Sequence, residues 1–128
     1  MKKGILIIVL LFVVASFAQT EKPVEEKQFI YVLHIVPKYL DRNNWTEKEN
    51  KIVNDHFEKL KKMFSEGTIT FAGRTENWDE KTFGIVVYRA ESIDRAKEIA
   101  ESDPAVKNGL MNFDVFPFKT VFPQANSK

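Results

Sequence analysis

The residues of this 128-residue chain best suited to proton transfer are its two histidines, His34 and His56. An imidazole exchanges a proton near neutral pH, and a carboxylate that accepts a hydrogen bond from one ring nitrogen fixes the tautomer at the other. Asp103 is the natural carboxylate candidate, although an aspartate before Pro104 at the start of a helical turn is also explained as a helix cap. We therefore interpret His56 and Asp103 as a candidate acid–base pair, with a purely structural role for both as the alternative.

Other residues give weaker indications of a site. His34 competes with His56 for the acid–base role, but a lone histidine on an apolar strand is typical of a core or an interface. Arg74, which follows Ala72 and Gly73 at the end of a predicted strand, is a candidate for binding an anionic group, with plain solvation as its alternative. The chain has no cysteine, and its histidines lack the short spacing of metal ligands, so we expect no metal and no cofactor.

The amino terminus predicts export. Lys2 and Lys3 precede an uncharged apolar run, and small residues follow this run at the positions that a signal peptidase reads. We expect residues 1–18 to be a cleaved signal peptide, which leaves a periplasmic or secreted bacterial protein without a stable membrane anchor. An uncleaved anchor is the alternative, but the run is short for a bilayer span.

The composition of residues 19–128 indicates one globular domain that binds neither nucleic acid nor an anionic membrane. These residues hold 17 Lys and Arg against 18 Asp and Glu, because two of the chain's 19 basic residues fall in the signal peptide. Nucleic acids and anionic membranes require a concentrated basic surface, which a near-neutral chain lacks. We divide the segment into a flexible lead-in at 19–27, a domain at 28–122 and a polar tail at 123–128.

Hydrophobic periodicity gives the domain the element order strand, helix, strand, strand, helix, strand. Thr46 and Glu49 fit a capping box that starts the first helix, which ends at Gly67; Ser92 caps the second helix, and a short helical turn begins after Asp103. This order predicts a ferredoxin-like α+β fold, a four-stranded antiparallel sheet with both helices on one face. We place the strands at residues 29–36, 68–73, 83–89 and 110–118, with loops at 38–45 and 74–82.

Both faces of the predicted sheet are apolar. In the first strand, Phe29, Tyr31 and Leu33 alternate with Ile30 and Val32, so neither face is patterned for contact with water. Two helices cover only one face, and an open apolar face of this size is rare on a soluble monomer. We therefore predict a homodimer in which two sheets pack face to face.

The first helix is predicted to be amphipathic. Lys59, Lys61 and Lys62 form the only basic run of residues 19–128 and are expected to lie on the solvated face. His56 falls in the opposite, apolar arc and is expected to point toward the sheet, where a buried imidazole needs hydrogen-bond partners. The residues of this arc are Ile52, Val53, His56, Phe57, Leu60, Met63 and Phe64.

The chain resembles the YCII-related family of small bacterial proteins over about residues 29–122. The resemblance implies a ferredoxin-like fold that dimerises through its sheets into an α+β barrel. It also implies that His56 and Asp103 match the family's proposed active-site pair, and that the substrates are small organic molecules, with dehydrohalogenation and related proton transfers on ring compounds among the activities. It is carried by His56, Gly67, Phe71, Ala72, Gly73, Ser102, Asp103, Pro104, Val106, Gly109, Val115, Pro117 and Phe118.

The chain departs from this family in two respects. Arg74 stands where relatives usually carry a proline, and the chain is predicted to be exported whereas relatives are mainly cytoplasmic. We predict an exported enzyme of lyase, isomerase or hydrolase type in which His56 moves a proton and Asp103 orients the imidazole. Arg74 and His34 are the secondary candidates for substrate binding. The alternatives are a non-catalytic homodimeric module that binds a small ligand, and a purely structural dimer.

Overall fold

The computed structural model describes residues 26–123, which form one sheet and the helices that cover it. The predicted signal peptide at 1–18 and most of the predicted polar tail lie outside the described residues. No helix within the described range is long and apolar enough to cross a lipid bilayer. The elements are β1 (Lys27–Ile35), α1 (Glu47–Ser65), β2 (Ile69–Arg74), β3 (Phe83–Ala90), α2 (Ile93–Glu101), α3 (Pro104–Lys107) and β4 (Met111–Pro117).

The helix boundaries follow from capping residues that the sequence identifies. The predicted capping box forms at the start of α1, where the side chains of Thr46 and Glu49 both accept backbone hydrogen bonds. α1 ends before Gly67, whose φ of 76° is favourable only for glycine, and the backbone N–H of Gly67 donates to the carbonyl of Phe64. The hydroxyl of Ser92 accepts the backbone N–H of Arg95 and starts α2. These predictions are confirmed.

The segment 38–45 is more regular than the predicted loop. It forms two short 3-10 turns, Pro37–Leu40 and Arg42–Asn44. Pro37 fixes its own φ in the first turn, and the carboxylate of Asp41 accepts the backbone N–H of Asn43 at 2.9 Å in the second. Local hydrogen bonds of this kind leave no trace in hydrophobic periodicity.

The four strands form one antiparallel sheet in the order β2-β3-β1-β4, which confirms the predicted ferredoxin-like α+β fold. On the helix-covered face, Phe29, Tyr31 and Leu33 of β1 are buried. The ring of Tyr31 packs edge to face on Tyr88, with centroids 5.1 Å apart, and the Tyr88 hydroxyl donates to the carbonyl of Ala96 at 2.7 Å. The core therefore sits between the two central strands and the helices.

The opposite face of the sheet is open and apolar, as the alternation in β1 predicts. Ile30 and Val32 are partly buried there, while Phe71 at one edge and Phe116 at the other are 50% and 52% exposed. Apolar side chains on both faces are therefore present. The homodimer that would cover the open face stays a prediction.

α1 packs less completely than the sequence predicts. Ile52 and Met63 are buried, whereas Phe57 and Phe64, which were expected to pack in the same arc, are 53% and 64% exposed. The facing strand β2 carries Ala72 on its helix-covered side, and this side chain is too small to fill the space beside the two rings. A cavity lies between α1 and β2 as a result.

One of the three lysines predicted to be solvated packs against another helix. The ammonium group of Lys59 donates to the carbonyl of Ile99 at 2.7 Å and to the hydroxyl of Ser102 at 2.8 Å. Both acceptors lie at the C-terminal end of α2, where carbonyl groups lack helical partners. The contact ties α1 to the end of α2, just before Asp103.

Candidate active site

His56 and Asp103, which are 47 residues apart in the sequence, form a buried hydrogen-bonded pair. His56 lies at the midpoint of α1 and is 4% exposed, and Asp103 is fully buried. The Nδ1 atom of His56 lies 2.8 Å from each carboxylate oxygen of Asp103. Because a carboxylate is a hydrogen-bond acceptor, this contact assigns the proton to Nδ1 and leaves Nε2 with a lone pair.

Asp103 is fixed in place by the backbone of the helix that it caps. Its Oδ1 atom accepts the backbone N–H of Ala105 at 2.9 Å, and Pro104 occupies the first position of α3. Its Oδ2 atom also accepts a longer hydrogen bond, 3.4 Å, from the hydroxyl of Tyr31 in β1. Capping and holding the imidazole are thus performed by the same carboxylate.

Two further groups shape the electrostatics around Asp103. Burial raises the pKa of Tyr31 strongly, and the neighbouring charge of Asp103 adds to the rise, so the hydroxyl stays protonated as a donor. Burial lowers the pKa of Lys59, while the attraction of Asp103 opposes that change. The carboxylate therefore sits among hydrogen-bond donors and near a cationic group.

His56 forms part of the wall of the cavity between α1 and β2. This cavity has a volume of about 530 Å³ and is lined mainly by apolar side chains, among them Phe57, Leu60 and Phe64. Within residues 26–123, Nε2 of His56 makes no hydrogen bond. No buried side-chain nitrogen or oxygen in this range lacks a partner, so Nε2 must have some exposed surface. We conclude that Nε2 is open to the cavity, where a small ligand can reach it.

The structure separates the two secondary candidates. Arg74, at the end of β2, lines the same cavity as His56. His34 lies on the open face of the sheet, where its ring packs beside Phe83 with centroids 6.2 Å apart. The structure thus brings Arg74, but not His34, to the cavity that His56 lines.

Sequence reasoning missed three side chains of this site. Phe57 and Phe64 were assigned to the packed core, and Tyr31 was not linked to Asp103. The spacing of seven residues between Phe57 and Phe64 places both on one face of α1, but it does not reveal whether that face meets a partner. Which strand residue faces them is decided by the register of the sheet.

A metal site would require several ligating side chains that lie close together. In the part of the chain that the structure describes, no group of three or more His, Asp or Glu side chains is arranged to hold a metal ion. His56 and Asp103 instead satisfy each other through the Nδ1 contact. The arrangement is suited to moving a proton at Nε2.

The element order and the sheet topology define an α+β domain of the ferredoxin-like class. The chain belongs to the YCII-related domain family, whose domain matches residues 18–119. No curated protein matches the chain.

Comparison with solved structures gives two chains that are similar to this one. A 5-chloro-2-hydroxyhydroquinone dehydrochlorinase from Burkholderia phenoliruptrix AC1100, solved in complex with 2,5-dihydroxybenzoquinone, is 23% identical, with a TM-score of 0.54 over 72% of this chain and 93% of that one. An uncharacterised protein from Thermotoga maritima is 16% identical, with a TM-score of 0.48 over 74% of this chain and 100% of that one. The first of these supports the shared fold.

Proposed function

We propose that this protein is a small-molecule enzyme in which His56 transfers a proton to or from a ring compound bound between α1 and β2. The observation that carries the proposal is the position of the imidazole. Nδ1 is held by both oxygens of Asp103 at 2.8 Å, while Nε2 is open to an apolar cavity of about 530 Å³. A fixed tautomer with one accessible nitrogen is what a general acid or base requires.

Asp103 has a positioning role in this mechanism. Its hydrogen bond to Nδ1 keeps the lone pair of Nε2 directed at the substrate, and its charge stabilises the imidazolium that forms when Nε2 takes a proton. The cap to Ala105 and the hydroxyl of Tyr31 keep the carboxylate from rotating. A positioned acid or base of this kind contributes about 10² to 10⁴ in rate.

The lining of the cavity favours a ring compound as the substrate. Phe57 and Phe64 expose aromatic surface that a flat apolar ring can cover. The structural neighbour from Burkholderia acts on a chlorinated hydroquinone, which supports the same substrate class. On the keto form of a chlorinated hydroquinone, Nε2 takes the proton of a ring hydroxyl and the O–H electrons form a carbonyl. The adjacent ring double bond then shifts, and chloride leaves with the electrons of the carbon–chlorine bond, so that HCl is lost and a quinone forms.

A comparison of the two histidines tests this function. We expect the wild-type protein to release chloride from 5-chloro-2-hydroxyhydroquinone, measured with a chloride electrode. His56→Asn should lower kcat at least about 10²-fold, because it removes the proton acceptor. The matched control, His34→Asn, changes the same residue type on the open face and should keep the wild-type rate.

Two results would count against the enzyme. Equal rates in the wild type and His56→Asn would remove His56 from the chemistry. Binding of 2,5-dihydroxybenzoquinone without turnover of the chlorinated compound would favour the alternative, a non-catalytic module that binds a small ligand. Asp103→Asn separates positioning from chemistry, since it should lower kcat with little change in KM.

The proposal also includes export, which is supported by the sequence of residues 1–18. Expression of the full chain in a bacterium should give a periplasmic or secreted protein that begins at Gln19. Amino-terminal sequencing of the purified protein checks this. A mature protein that retains Lys2 and Lys3 would contradict cleavage.

A further inference from the structure

Two arginines lie at or near the cavity of His56, one lining that cavity and the other lining a smaller cavity beside it. Arg74 lines both that cavity and a smaller one of about 130 Å³, and Leu33 also borders both. Arg42, from the 3-10 turn after Asp41, lines the smaller cavity. Both arginines therefore line the smaller cavity, which shares Leu33 and Arg74 with the cavity of His56.

Arg42 is held in place by two tryptophans. Its guanidinium carbon lies 3.5 Å from the ring centroid of Trp78 and 4.7 Å from that of Trp45. Each indole is itself fixed, because Trp78 donates to the carbonyl of Leu40 and Trp45 donates to the carbonyl of Tyr39, both at 2.8 Å. Stacking holds the guanidinium plane but uses none of its N–H donors.

Neither guanidinium is neutralised by a carboxylate in the part of the chain that the structure covers. Within residues 26–123, the ion pairs include neither Arg42 nor Arg74. The one side-chain hydrogen bond of Arg74 is a 3.3 Å contact with the carbonyl of the adjacent Thr75. By contrast, Lys61 at the same cavity lies 3.5 Å from the carboxylate of Glu58.

We infer that Arg74 and Arg42 form an anion subsite, and that the preferred substrates are therefore ring compounds bearing a carboxylate. Two cations at one cavity repel each other, and a carboxylate offers both of them acceptors in the geometry that guanidinium groups prefer. The ring would lie against Phe57 and Phe64 with its reacting atom at Nε2 of His56. This inference rests on the proposed function, since it names the substrate class of the same site.

The test compares benzoate with benzyl alcohol, which keeps the ring and lacks the charge. Trp45 and Trp78 are the only two tryptophans of the chain, so a change in tryptophan emission reports occupancy beside Arg42. Titration calorimetry gives the affinity independently. We expect the wild-type protein to bind benzoate at least about fivefold more tightly than benzyl alcohol, with an emission change for benzoate alone.

Charge-removing variants sharpen the test. Arg74→Gln and Arg42→Gln should each weaken benzoate binding about fivefold and leave benzyl alcohol within twofold. Arg89→Gln makes the same change at an exposed position of β3 that lines neither cavity, and it should bind both probes like the wild type. Thermal unfolding of each variant confirms that it is folded.

The outcomes separate this inference from the proposed function. Equal affinity for the two probes, no benzoate binding, or benzoate binding that is unchanged in both arginine variants would overturn the anion subsite, even if His56 proves catalytic. Displacement of benzoate by an equal concentration of inorganic phosphate would overturn the substrate class, because the ring would then contribute nothing. A loss of turnover in His56→Asn bears on the proposed function alone, because the anion subsite is judged from benzoate binding in the arginine variants.

Discussion

One histidine lies on each side of the sheet, His34 on strand β1 and His56 on the covering helix α1, and their surroundings differ in one respect. On the helix-covered face, His56 reaches down from α1 to the carboxylate that caps α3, and Tyr31 of β1 meets the same carboxylate. On the open face, His34 packs beside Phe83 among exposed apolar side chains. The two histidines differ in that only His56 meets a carboxylate, which a third element supplies at the start of α3.

Burial makes this arrangement costly to disturb on one face only. A buried polar group without a hydrogen-bond partner lowers the free energy of unfolding by about 1 to 3 kcal/mol. His56 and Asp103 avoid this cost on the helix-covered face because they bond to each other. The open face holds no comparable pair among the described residues. Substitutions on the two faces should therefore have different consequences.

The largest expected effect is on the helix-covered face. Asp103→Ala removes the acceptor of three donors, from His56, Ala105 and Tyr31, and should lower the free energy of unfolding by about 3 to 5 kcal/mol. Asp94→Ala, which removes an exposed carboxylate from the first turn of α2, should cost less than about 1 kcal/mol. Urea unfolding at pH 7 measures both, and similar losses would show that the buried pair is not special.

An intermediate effect is expected from charges placed at two exposed phenylalanines. Phe116→Asp on the open face should weaken the proposed homodimer by about 2 kcal/mol or more, roughly a 30-fold increase in its dissociation constant. Phe64→Asp at the cavity should leave the dimer intact and weaken binding of 2,5-dihydroxybenzoquinone. Sedimentation equilibrium decides the first point, and a wild-type protein that stays monomeric at high concentration would refute the dimer.

A smaller effect concerns the buried tyrosines of the helix-covered face. Burial raises the pKa of both Tyr31 and Tyr88 above the ordinary value. Above about pH 10 the unfolded chain releases these protons while the folded chain keeps them, so stability is present below that pH and is lost as pH rises. Thermal unfolding at pH 7 and pH 11 should show a smaller alkaline loss in Tyr31→Phe than in the wild type, and an equal loss in both would contradict this assignment.

The fold was predictable because its signals are local. Thr46, Ser92 and Gly67 mark helix ends through hydrogen bonds to their own neighbours, and strand alternation in β1 shows directly in the order of side chains. The packing of Phe57 and the burial of Lys59 were mispredicted, because a helical arc shows which residues share a face but not what that face meets. Phe57 stays exposed because the side chain of Ala72 across the cavity is small. Lys59 is partly buried because the end of α2 lies nearby.

Local sequence patterns were enough to predict the order of the elements, the two apolar faces of the sheet, and His56 and Asp103 as candidates. Only the packing of the helices on the sheet shows that these two side chains touch, that His56 lines a cavity, and that Arg74 and Arg42 line one smaller cavity while His34 lies on the open face. The physical reason is the range of the interactions. Caps and alternation act over a few residues, whereas a contact across 47 residues depends on how the helices pack against the sheet.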